Sequence, residues 1–268
     1  SRKLEHLNTK SEIIKSKINN EPVTLADLEV NSLIIKRFNK KYGHIGWSIL
    51  SEENENIDFK NNHKNLEWLW VIDPLDGTKD FIQGTGNYAM HLALNYHNKP
   101  VLGIVLIPER NELWVSNGKD CWVERRDGSK KQPTPDTKKR IEDMKLVTSK
   151  NNNNETLRKL NEKIQFKKFS MMGSVGCKIA SILRGENDIY ISLSIPGGSS
   201  PKDWDFAAPE SVLKAAGGAI TDLDNQELSY GKSNFEQGGI IVASNNNLKH
   251  ESICLEIKET IRKYDLYP

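Results

Sequence analysis

The sequence predicts a protein of mixed helices and strands, with an α+β first half and an α/β second half. In the first half, short apolar runs separated by turn residues predict a meander of strands between residues 88 and 125. In the second half, helical and extended apolar patterns alternate, which is typical of α/β folds. With 268 residues, the chain is long enough for one large domain or for two closely packed subdomains.

The composition of the chain argues against nucleic-acid-binding, membrane-spanning and secreted proteins. The chain has 38 basic and 36 acidic residues and a net charge of +2, so no large-scale field attracts nucleic acid or an anionic membrane. No apolar run approaches the roughly 20 residues that cross a bilayer, and no secretory signal is recognisable. The three cysteines are widely spaced and resemble neither a disulfide framework nor a zinc site. We therefore expect a cytoplasmic protein that binds neither nucleic acid nor a membrane.

The elements of the first half follow from capping, apolar periodicity and turn residues. Thr24 and Asp27 have the spacing of a capping box, with Asp at the position that more often holds Glu or Gln. They predict the start of a helix, and the segment from Gly43 to Gly46 is predicted to end it. The other elements predicted in this half are a weak helix over residues 1–20, a strand over 47–50, a polar loop over 54–65, and strands over 66–72, 88–96, 101–107, 112–116 and 121–125.

A junction and an alternating pattern organise the second half. Residues 127–143 are rich in Lys, Pro and Thr and are the best candidate for a junction, so we expect subdomains over residues 1–135 and 136–268. The elements predicted after it are a loop over 151–154, a helix opened by residues 173–178 and running to 183, a strand over 188–193, a loop over 196–201, a helix that starts at 205 and stops at the glycines 217–218, strands over 219–221 and 239–244, and a helix over 248–263.

One stretch combines a predicted strand with the residues of a metal and phosphate site. Residues 66–81 read L-E-W-L-W-V-I-D-P-L-D-G-T-K-D-F, and the apolar run predicts a strand buried on both faces that stops at Asp73. Pro74 fixes its own φ, Gly77 allows a close backbone approach, and Thr78 is placed to cap a helix. The two carboxylates suit a hard cation such as Mg²⁺, and N–H groups at the helix start suit the phosphate that it bridges. The alternative interpretation is an Asp-rich turn before a capped helix.

Further carboxylates lie where a strand or a loop meets a helix. Glu52 and Glu53 follow a predicted strand. Asp205 precedes a predicted helix, and Asp27 belongs to the capping box. Taken singly, these residues are a solvated strand end, an N-cap and a capping-box carboxylate, because Glu is mostly exposed and Asp is a preferred cap. Their common placement, which the central turn shares, favours a joint site.

Three motifs occur in order along the chain: Glu52-Glu53, then D-P-L-D-G-T at residues 73–78, then Trp204-Asp205. In this order and spacing they resemble the inositol monophosphatase superfamily, the lithium-sensitive, magnesium-dependent phosphatases, and the match spans essentially the whole chain. The K-D-F at residues 79–81 is similar to the 3'(2'),5'-bisphosphate nucleotidase branch of that superfamily. The strings P-K-D-W-D-F-A-A-P-E, residues 201–210, and G-S-V-G-C-K, residues 173–178, are similar to bacterial members of the branch.

The resemblance implies a fold as well as an activity. It implies a layered α-β-α-β-α sandwich, the sugar-phosphatase fold, with two subdomains that face a cleft. The first subdomain would carry most metal ligands, and the second would carry the substrate loop and Asp205. The chain departs from the nucleotidase pattern at Asp80, where Glu is usual, and at Gly176-Cys177, where many nucleotidases have Ser-Leu.

The resemblance also assigns roles to residues of this chain. It implies two or three Mg²⁺ ions, and the predicted metal ligands are Glu52, Asp73, the Leu75 carbonyl, Asp76 and Asp205. The predicted catalytic residues are Glu52, Asp27 and Thr78. Among these, Thr78 would orient and deprotonate the attacking water, with support from Asp27. The predicted substrate contacts are Gly77, Thr78, Lys79, Ser174, Gly176 and Lys178.

The reaction implied is Mg²⁺-dependent removal of the 3'-phosphate from adenosine 3',5'-bisphosphate, with 3'-phosphoadenylyl sulfate as a further substrate. The alternative is an inositol-1-phosphatase or a sugar (fructose-1,6-bis)phosphatase of the same fold. A remote alternative is a non-catalytic protein that binds a phosphorylated ligand, for which the basic residues at 130–131 and 138–140 give slight support. The expected partner is a small phosphorylated molecule in each case, and we expect a monomer or a homodimer.

Overall fold

The computed structural model of the protein describes residues 14–16, 22–45, 47–54, 67–134, 139–150, 155–195, 197–198 and 200–267. Over these residues it contains two large sheets, one small sheet and six helices, which confirms the predicted mixed class. None of the helices in the described ranges is both long and apolar enough to cross a membrane.

The first half builds a seven-stranded sheet from the predicted meander. Its elements are β1 (Ile14–Ser16), β2 (Pro22–Thr24), α1 (Leu25–Tyr42), β3 (Ser48–Ser51), β4 (Trp68–Asp76), α2 (Thr78–Gln83), β5 (Ala89–Tyr96), β6 (Lys99–Ile107), β7 (Glu112–Ser116), β8 (Cys121–Arg125) and β9 (Lys130–Lys131). The sheet order runs from β3 to β9 in sequence. β3 and β4 are parallel, and each later pair is antiparallel. β1 and β2 form a separate antiparallel pair.

The second half builds a five-stranded sheet and the remaining helices. Its elements are β10 (Lys145–Ser149), α3 (Glu155–Ile164), β11 (Lys168–Met172), α4 (Val175–Leu183), β12 (Ile189–Leu193), α5 (Asp203–Ala215), β13 (Ala219–Asp222), β14 (Ile240–Ser244) and α6 (Asn247–Tyr264). The strand order is β11-β10-β12-β14-β13. β10 is parallel to β11 and β12, whereas β14 is antiparallel to both of its neighbours.

The helices and sheets stack in five layers, as the resemblance implied. α1 packs on β4. On the inner side, α4 and α5 contact strands of both large sheets, so they form the middle layer. α3 packs on α6, and α6 packs on β14 at the far side. The order of layers is therefore helix, sheet, helices, sheet, helices, which confirms the predicted sandwich.

Two apolar cores hold these layers together. The larger core joins the first sheet to the middle helices and includes Val105, Trp114 and Phe206. The smaller core lies between the second sheet and the outer helices and includes Leu157 and Ile257. Because sheets cover α5 on two sides, nearly every residue of this helix from 203 to 213 is buried. Such a helix cannot shift without disturbing both sheets, and this fixes whatever its first turn carries.

The sequence predicted that strand β4 stops at Asp73, but the strand continues through the central motif to Asp76. Asp73 pairs with His91 and Asp76 pairs with Ala89, with an irregularity in the pairing between these two points. Pro74 lies in this irregular stretch, where its missing N–H costs no ladder hydrogen bond. Both carboxylates are therefore held by strand pairing, and not by a free turn.

Other predicted boundaries also need correction. Residues 14–16 form a strand, so the weak helix predicted over residues 1–20 is wrong there, and the remainder lies outside the described residues. The loop predicted over 54–65 begins at Asn54, which ends a 3-10 helix. Its other residues lie outside the described ranges, as does the loop predicted over 151–154. Helix α5 begins at Asp203, two residues before the predicted start. No specific pattern in the sequence predicted β10, α3 or β11. For β11 the reason is that it is a partly exposed edge strand without clean alternation.

Candidate active site

The end of β4 carries two buried carboxylates. Asp73 is 1% exposed and Asp76 is 8% exposed. The backbone N–H of Leu75 donates to Asp73 Oδ1 at 3.0 Å, which fixes the orientation of that carboxylate. The irregular pairing described above brings both carboxylates to the same end of the strand.

Residues at the start of α4 donate hydrogen bonds to the Asp76 carboxylate. Asp76 Oδ2 accepts hydrogen bonds from Ser174 Oγ at 2.6 Å, the Val175 N–H at 2.6 Å and the Gly176 N–H at 3.3 Å. The free N–H groups at a helix start favour a negative charge, so α4 and Asp76 satisfy each other. Ser174 and Gly176, which were predicted to contact substrate, are buried and have this internal partner.

Two further carboxylates reach the same place from distant parts of the chain. Glu52 lies in a short 3-10 helix directly after β3 and makes a side-chain hydrogen bond with Asp73. Asp205 lies in the first turn of α5, and its Oδ2 accepts from the Lys202 N–H at 2.5 Å. Asp205 is therefore the third helical residue of a capping arrangement and not the N-cap that the sequence predicted.

The four carboxylates influence one another electrostatically. Burial raises the pKa of Asp73 well above its ordinary value, and the charges of Glu52, Asp76 and Asp205 raise it further. Burial also raises the pKa of Asp205, and Asp76 adds to this rise, whereas the hydrogen bond from Lys202 opposes it. Glu52 and Asp205, 153 positions apart in sequence, thus lie near enough to the end of β4 to interact electrostatically with Asp73 and Asp76.

This acidic cluster fits a divalent cation. Buried carboxylates that repel one another need a positive charge nearby, and a bound cation supplies the largest local charge in such sites. Oxygen donors are the ligands that Mg²⁺ prefers. In addition, Asp73, Asp76 and His91 each present one ligand atom, and these atoms lie within 4.8 Å of one another.

Thr78 and Asp27 form a pair beside the cluster. Thr78 Oγ1 lies 3.2 Å from Asp27 Oδ1 and 3.1 Å from the Leu75 carbonyl oxygen. Asp27 is 1% exposed, and its Oδ2 accepts from the N–H of Thr24 at 2.7 Å and from the Thr24 hydroxyl at 2.5 Å. The capping box that starts α1, which the structure confirms, therefore also holds Asp27 toward Thr78. Thr78 itself does not cap α2, since Gly77 occupies the N-cap position.

Gly77 makes the close approach between β4 and the start of α4 possible. Its φ is 90°, in the region that favours glycine. A Cβ at this position would lie 2.9 Å from the Asn87 carbonyl oxygen and 3.3 Å from the Ser174 nitrogen. Lys79, the next predicted substrate contact, is exposed at the start of α2.

Lys178 is placed differently from its predicted role. The side chain is 0% exposed, and its Nζ donates to the Gly173 carbonyl at 2.6 Å and lies 5.1 Å from the ring centroid of Tyr190. Burial lowers the pKa of Lys178, while the nearby charges of Asp76 and Asp205 oppose this. The structure thus gives its ammonium group an internal partner, and a direct contact with substrate stays a prediction.

Two buried titratable residues, one beside Asp76 and one in the first turn of α5, were missed in the sequence. His91 is 0% exposed, and its Nε2 lies 3.3 Å from Asp76 Oδ2 without the geometry of a hydrogen bond. Burial lowers the pKa of His91, and Asp76 opposes this. Asp203 accepts from the Gly231 N–H and from Gln237, and burial raises its pKa to about 6. The alternation of β5, which turns residues 89, 91, 93 and 95 inward, was the available signal for His91.

Comparison with known proteins now decides the family. The model of the inositol monophosphatase family matches residues 2–262 of this chain. The chain belongs to the inositol monophosphatase family. The resemblance that the three motifs carried is thereby confirmed, and so is the enzyme class, a phosphatase.

The relatives include named nucleotidases within this family. The 3'(2'),5'-bisphosphate nucleotidase CysQ of Buchnera aphidicola subsp. Acyrthosiphon pisum (strain APS) is 32% identical over 220 residues, 82% of this chain and 78% of that protein. CysQ from Bacteroides thetaiotaomicron superposes with a TM-score of 0.67 at 22% identity, over 86% of this chain and 88% of that one. An IMPase/NADP phosphatase complexed with Mg²⁺ and phosphate superposes with a TM-score of 0.73 at 21% identity, over 91% and 85%. The two structural matches confirm the inositol monophosphatase fold.

Proposed function

We propose that this phosphatase removes the 3'-phosphate of adenosine 3',5'-bisphosphate in a Mg²⁺-dependent reaction, and that it also accepts 3'-phosphoadenylyl sulfate. The observation that supports a phosphomonoesterase most strongly is the meeting of four carboxylates from three distant segments beside the Thr78–Asp27 pair. The choice of a nucleotide substrate is supported by relatives that cover about four-fifths of the chain and carry the nucleotidase name.

In this proposal, Glu52, Asp73, Asp76, Asp205 and the Leu75 carbonyl hold two or three Mg²⁺ ions. Bound Mg²⁺ supplies Lewis-acid polarisation of the phosphate, a lowered pKa for the attacking water and stabilisation of the leaving oxygen. The chain contributes the fixed placement of its oxygens. The Leu75 N–H orients Asp73, α4 orients Asp76, and the Lys202 N–H orients Asp205.

Thr78 is the residue that we assign to the attacking water. Its single hydroxyl hydrogen points to Asp27 Oδ1 or to the Leu75 carbonyl, which are both acceptors. A lone pair of Oγ1 is then available to accept a hydrogen from water. Proton transfer from water to Thr78 and from Thr78 to Asp27 moves the proton to a buried carboxylate, and Glu52 is assigned an assisting role.

The phosphate side of the site is assigned to the start of α2. The backbone N–H groups of Gly77 and Thr78 would hold phosphate oxygens, because the first N–H groups of a helix lack intrahelical partners. Lys79 is exposed beside them and carries a positive charge toward an incoming anion. Ser174, Gly176 and Lys178 would support this arrangement from behind Asp76, given their burial.

A substrate panel tests the specificity. Purified protein with Mg²⁺ is incubated with adenosine 3',5'-bisphosphate, 3'-phosphoadenylyl sulfate, myo-inositol 1-phosphate and fructose 1,6-bisphosphate, and free phosphate is measured. We expect kcat/KM for the bisphosphorylated nucleotide to exceed the inositol and sugar values by about tenfold or more, or 1.4 kcal/mol. A preference for myo-inositol 1-phosphate or for the sugar phosphate would instead support the alternative phosphatases of the same fold.

A matched pair of variants tests the metal assignment and the non-catalytic alternative. Asp205→Asn removes a proposed ligand, whereas Asp203→Asn changes an acid of the same helical turn that faces Gly231 and Gln237. We expect Asp205→Asn to lower kcat by about 10³-fold, since losing metal stabilisation costs several kcal/mol. Asp203→Asn should lower stability and leave Mg²⁺ affinity unchanged. If no substrate is turned over while phosphorylated ligands still bind, the protein is a binder and not a phosphatase.

A further inference from the structure

His91 is buried between the end of β4 and the first turn of α5. It belongs to β5, whose odd-numbered residues from 89 to 95 face the middle helices, and its side chain is 0% exposed. Its role is not explained by the core, because an imidazole is polar and buried polar groups are stable only when they have partners.

The ring of His91 touches both carboxylate-bearing segments. Nδ1 lies 3.3 Å from the carbonyl oxygen of Trp204, the residue before Asp205. A carbonyl oxygen only accepts, so Nδ1 carries the hydrogen in this contact. On the opposite edge of the ring, Nε2 lies 3.3 Å from Asp76 Oδ2. One side chain therefore spans from the end of β4 to the first turn of α5.

The space around the ring is closed by Gly176. A Cβ built on Gly176 would lie 2.3 Å from His91 Nε2 and 3.0 Å from its Cδ2, and 2.7 Å from a methyl group of Val105. Any side chain at position 176 would displace the ring. The imidazole thus fills the volume that the absent side chain of Gly176 leaves.

A His91 nitrogen lies within 4.8 Å of possible ligand atoms of Asp73 and Asp76, but the hydrogen bonds of Asp76 argue against His91 as a metal ligand. The ring approaches Asp76 Oδ2, the oxygen that already accepts from Ser174, Val175 and Gly176. Three donors occupy the lone pairs of that oxygen, so a cation would bind the other oxygen, Oδ1. His91 then lies behind the carboxylate, where partners of metal ligands orient the ligand and tune its affinity.

We propose that His91 is a positioning residue of the metal site, which sets the separation of Asp76 and Asp205 by spanning from the Asp76 carboxylate to the Trp204 carbonyl. This inference rests on the proposed function, since it assigns both acids to one cation-binding cluster. The hydrogen bond from Nδ1 to the Trp204 carbonyl and the packing of the ring against Asp76 and Gly176 carry this role.

The test measures Mg²⁺ affinity by isothermal titration calorimetry on metal-stripped protein without substrate. Partners of metal ligands typically contribute 10- to 100-fold in affinity, so we expect His91→Leu to weaken Mg²⁺ binding by about that factor. His91→Gln keeps a group near the Nε2 position and His91→Asn keeps one near the Nδ1 position, so each should recover part of the loss. The matched control is His250→Leu, because His250 is also 1% exposed but hydrogen-bonds Thr221 and Ser244 in the second half.

The outcomes separate the inference from the proposed function. His250→Leu should lower the melting temperature without changing Mg²⁺ affinity by more than about twofold. The inference is overturned if His91→Leu folds and binds Mg²⁺ as tightly as the wild type. If His91→Leu does not fold, the inference is overturned when His91→Gln and His91→Asn both bind Mg²⁺ as tightly as the wild type. Wild-type protein that binds no Mg²⁺ overturns the proposed function as well. Wild-type protein that binds Mg²⁺ in a His91-dependent way but releases no phosphate contradicts only the proposed function.

Two further measurements test the mechanism of this effect. If His91 were a ligand, His91→Leu would weaken Zn²⁺ far more than Mg²⁺, because imidazole suits Zn²⁺, and this selective loss would overturn a positioning role. In a double-mutant cycle, Gly176→Ala should weaken Mg²⁺ binding about tenfold in the wild type and much less in His91→Ala, where the ring is gone. Equal effects in both backgrounds would show that Gly176 and His91 act independently, and would also overturn the proposal.

Discussion

At Thr78, one hydroxyl connects two parts of the site that lie 51 positions apart, Asp27 and the turn after β4. If Thr78 accepts the proton of the attacking water, Thr78→Val removes that function and keeps the shape of the side chain. We expect kcat to fall by about 10²- to 10⁴-fold, the usual contribution of a general base, with Mg²⁺ affinity unchanged. Thr78→Ser should restore most of the activity. Steady-state kinetics and calorimetry measure both quantities, and an equal loss in Val and Ser variants would contradict the assignment.

The absence of a side chain at Gly77 keeps β4 and α4 in contact, because a Cβ there would clash with neighbouring backbone atoms. Gly77→Ala faces both a strained φ of 90° and a contact of 2.9 Å with the Asn87 carbonyl. Gly84→Ala is the matched control, since Gly84 has a φ of 67° and no atom within 4 Å of the built Cβ. We expect Gly84→Ala to cost about 1 kcal/mol in the free energy of unfolding and Gly77→Ala to cost roughly 2 to 4 kcal/mol. Denaturant titration measures both, and equal costs would mean that the close approach is unimportant.

At the scale of elements, α5 connects the proposed metal site to the packing of the first sheet, because its first turn carries Asp205 and its middle rests on β6. A Cβ on Gly103 of β6 would lie 2.7 Å from the Ala208 carbonyl oxygen and 2.7 Å from Ser211 Cβ. Gly103→Ala should therefore move α5, lower the free energy of unfolding by about 1 to 3 kcal/mol and weaken Mg²⁺ binding.

The control for this variant is Gly43→Ala, at the end of α1. Gly43 has a φ of −56° and no atom within 4 Å of a built Cβ, so this change should be neutral or stabilise by about 0.4 to 1 kcal/mol. Chemical denaturation and Mg²⁺ titration on both variants give the comparison. Should Gly103→Ala bind Mg²⁺ as tightly as the wild type, α5 does not transmit packing to the site.

Elements with strong local signals could be predicted from the sequence, and those decided by partners could not. The capping box of Thr24 and Asp27 gave the start of α1 correctly, because its hydrogen bonds are local. The extent of β4 was wrong because strand pairing with β5 continues past Asp73 to Asp76, and pairing is not visible in one strand alone. The start of α5 was misplaced because Asp205 caps from inside the helix.

The same division applies to the site. The motif order drew attention to Glu52, Asp73, Asp76 and Asp205, and the structure brings these four together. His91 was missed because a lone histidine in an alternating strand is usually a core residue, and its two contacts come from other elements. Lys178 was assigned to substrate from its motif, but its position on α4 turns it inward toward Tyr190. Long-range packing decides such orientations, and a local pattern does not encode them.

For the whole molecule, we expect the acidic cluster to lower the free energy of unfolding when no cation balances its charges. Asp73→Asn removes one charge from the repelling group, and its amide oxygen can still accept from the Leu75 N–H. We expect metal-free Asp73→Asn to melt about 2 to 6 °C above metal-free wild type. Added Mg²⁺ should raise the melting temperature of the wild type and have much less effect on the variant. Thermal melts with and without Mg²⁺ decide this, and a lower metal-free melting temperature for the variant would count against charge repulsion.

The raised pKa values of Asp73 and Asp205 also predict how metal binding depends on pH. In the metal-free folded state both groups hold protons above the ordinary carboxylate range, so their contribution to folding stability falls as pH rises toward their raised pKa values. Mg²⁺ binds the ionised form, so its affinity should strengthen over the same range and binding should release protons. Calorimetry in two buffers of different ionisation enthalpy counts these protons, and a count of zero would contradict the prediction.

The hydrogen bonds that hold Asp76 come from residues 98 to 100 positions further along the chain, and Asp205 follows later still. On the ribosome, the segment with Glu52, Asp73 and Asp76 is therefore synthesised well before the groups that orient it. A nascent polypeptide that ends before α4 contains Glu52, Asp73 and Asp76 but lacks the hydrogen-bond donors that orient Asp76. On the proposed assignment of the metal ligands, cation uptake and hydrolysis therefore wait until synthesis of the second half has passed α5.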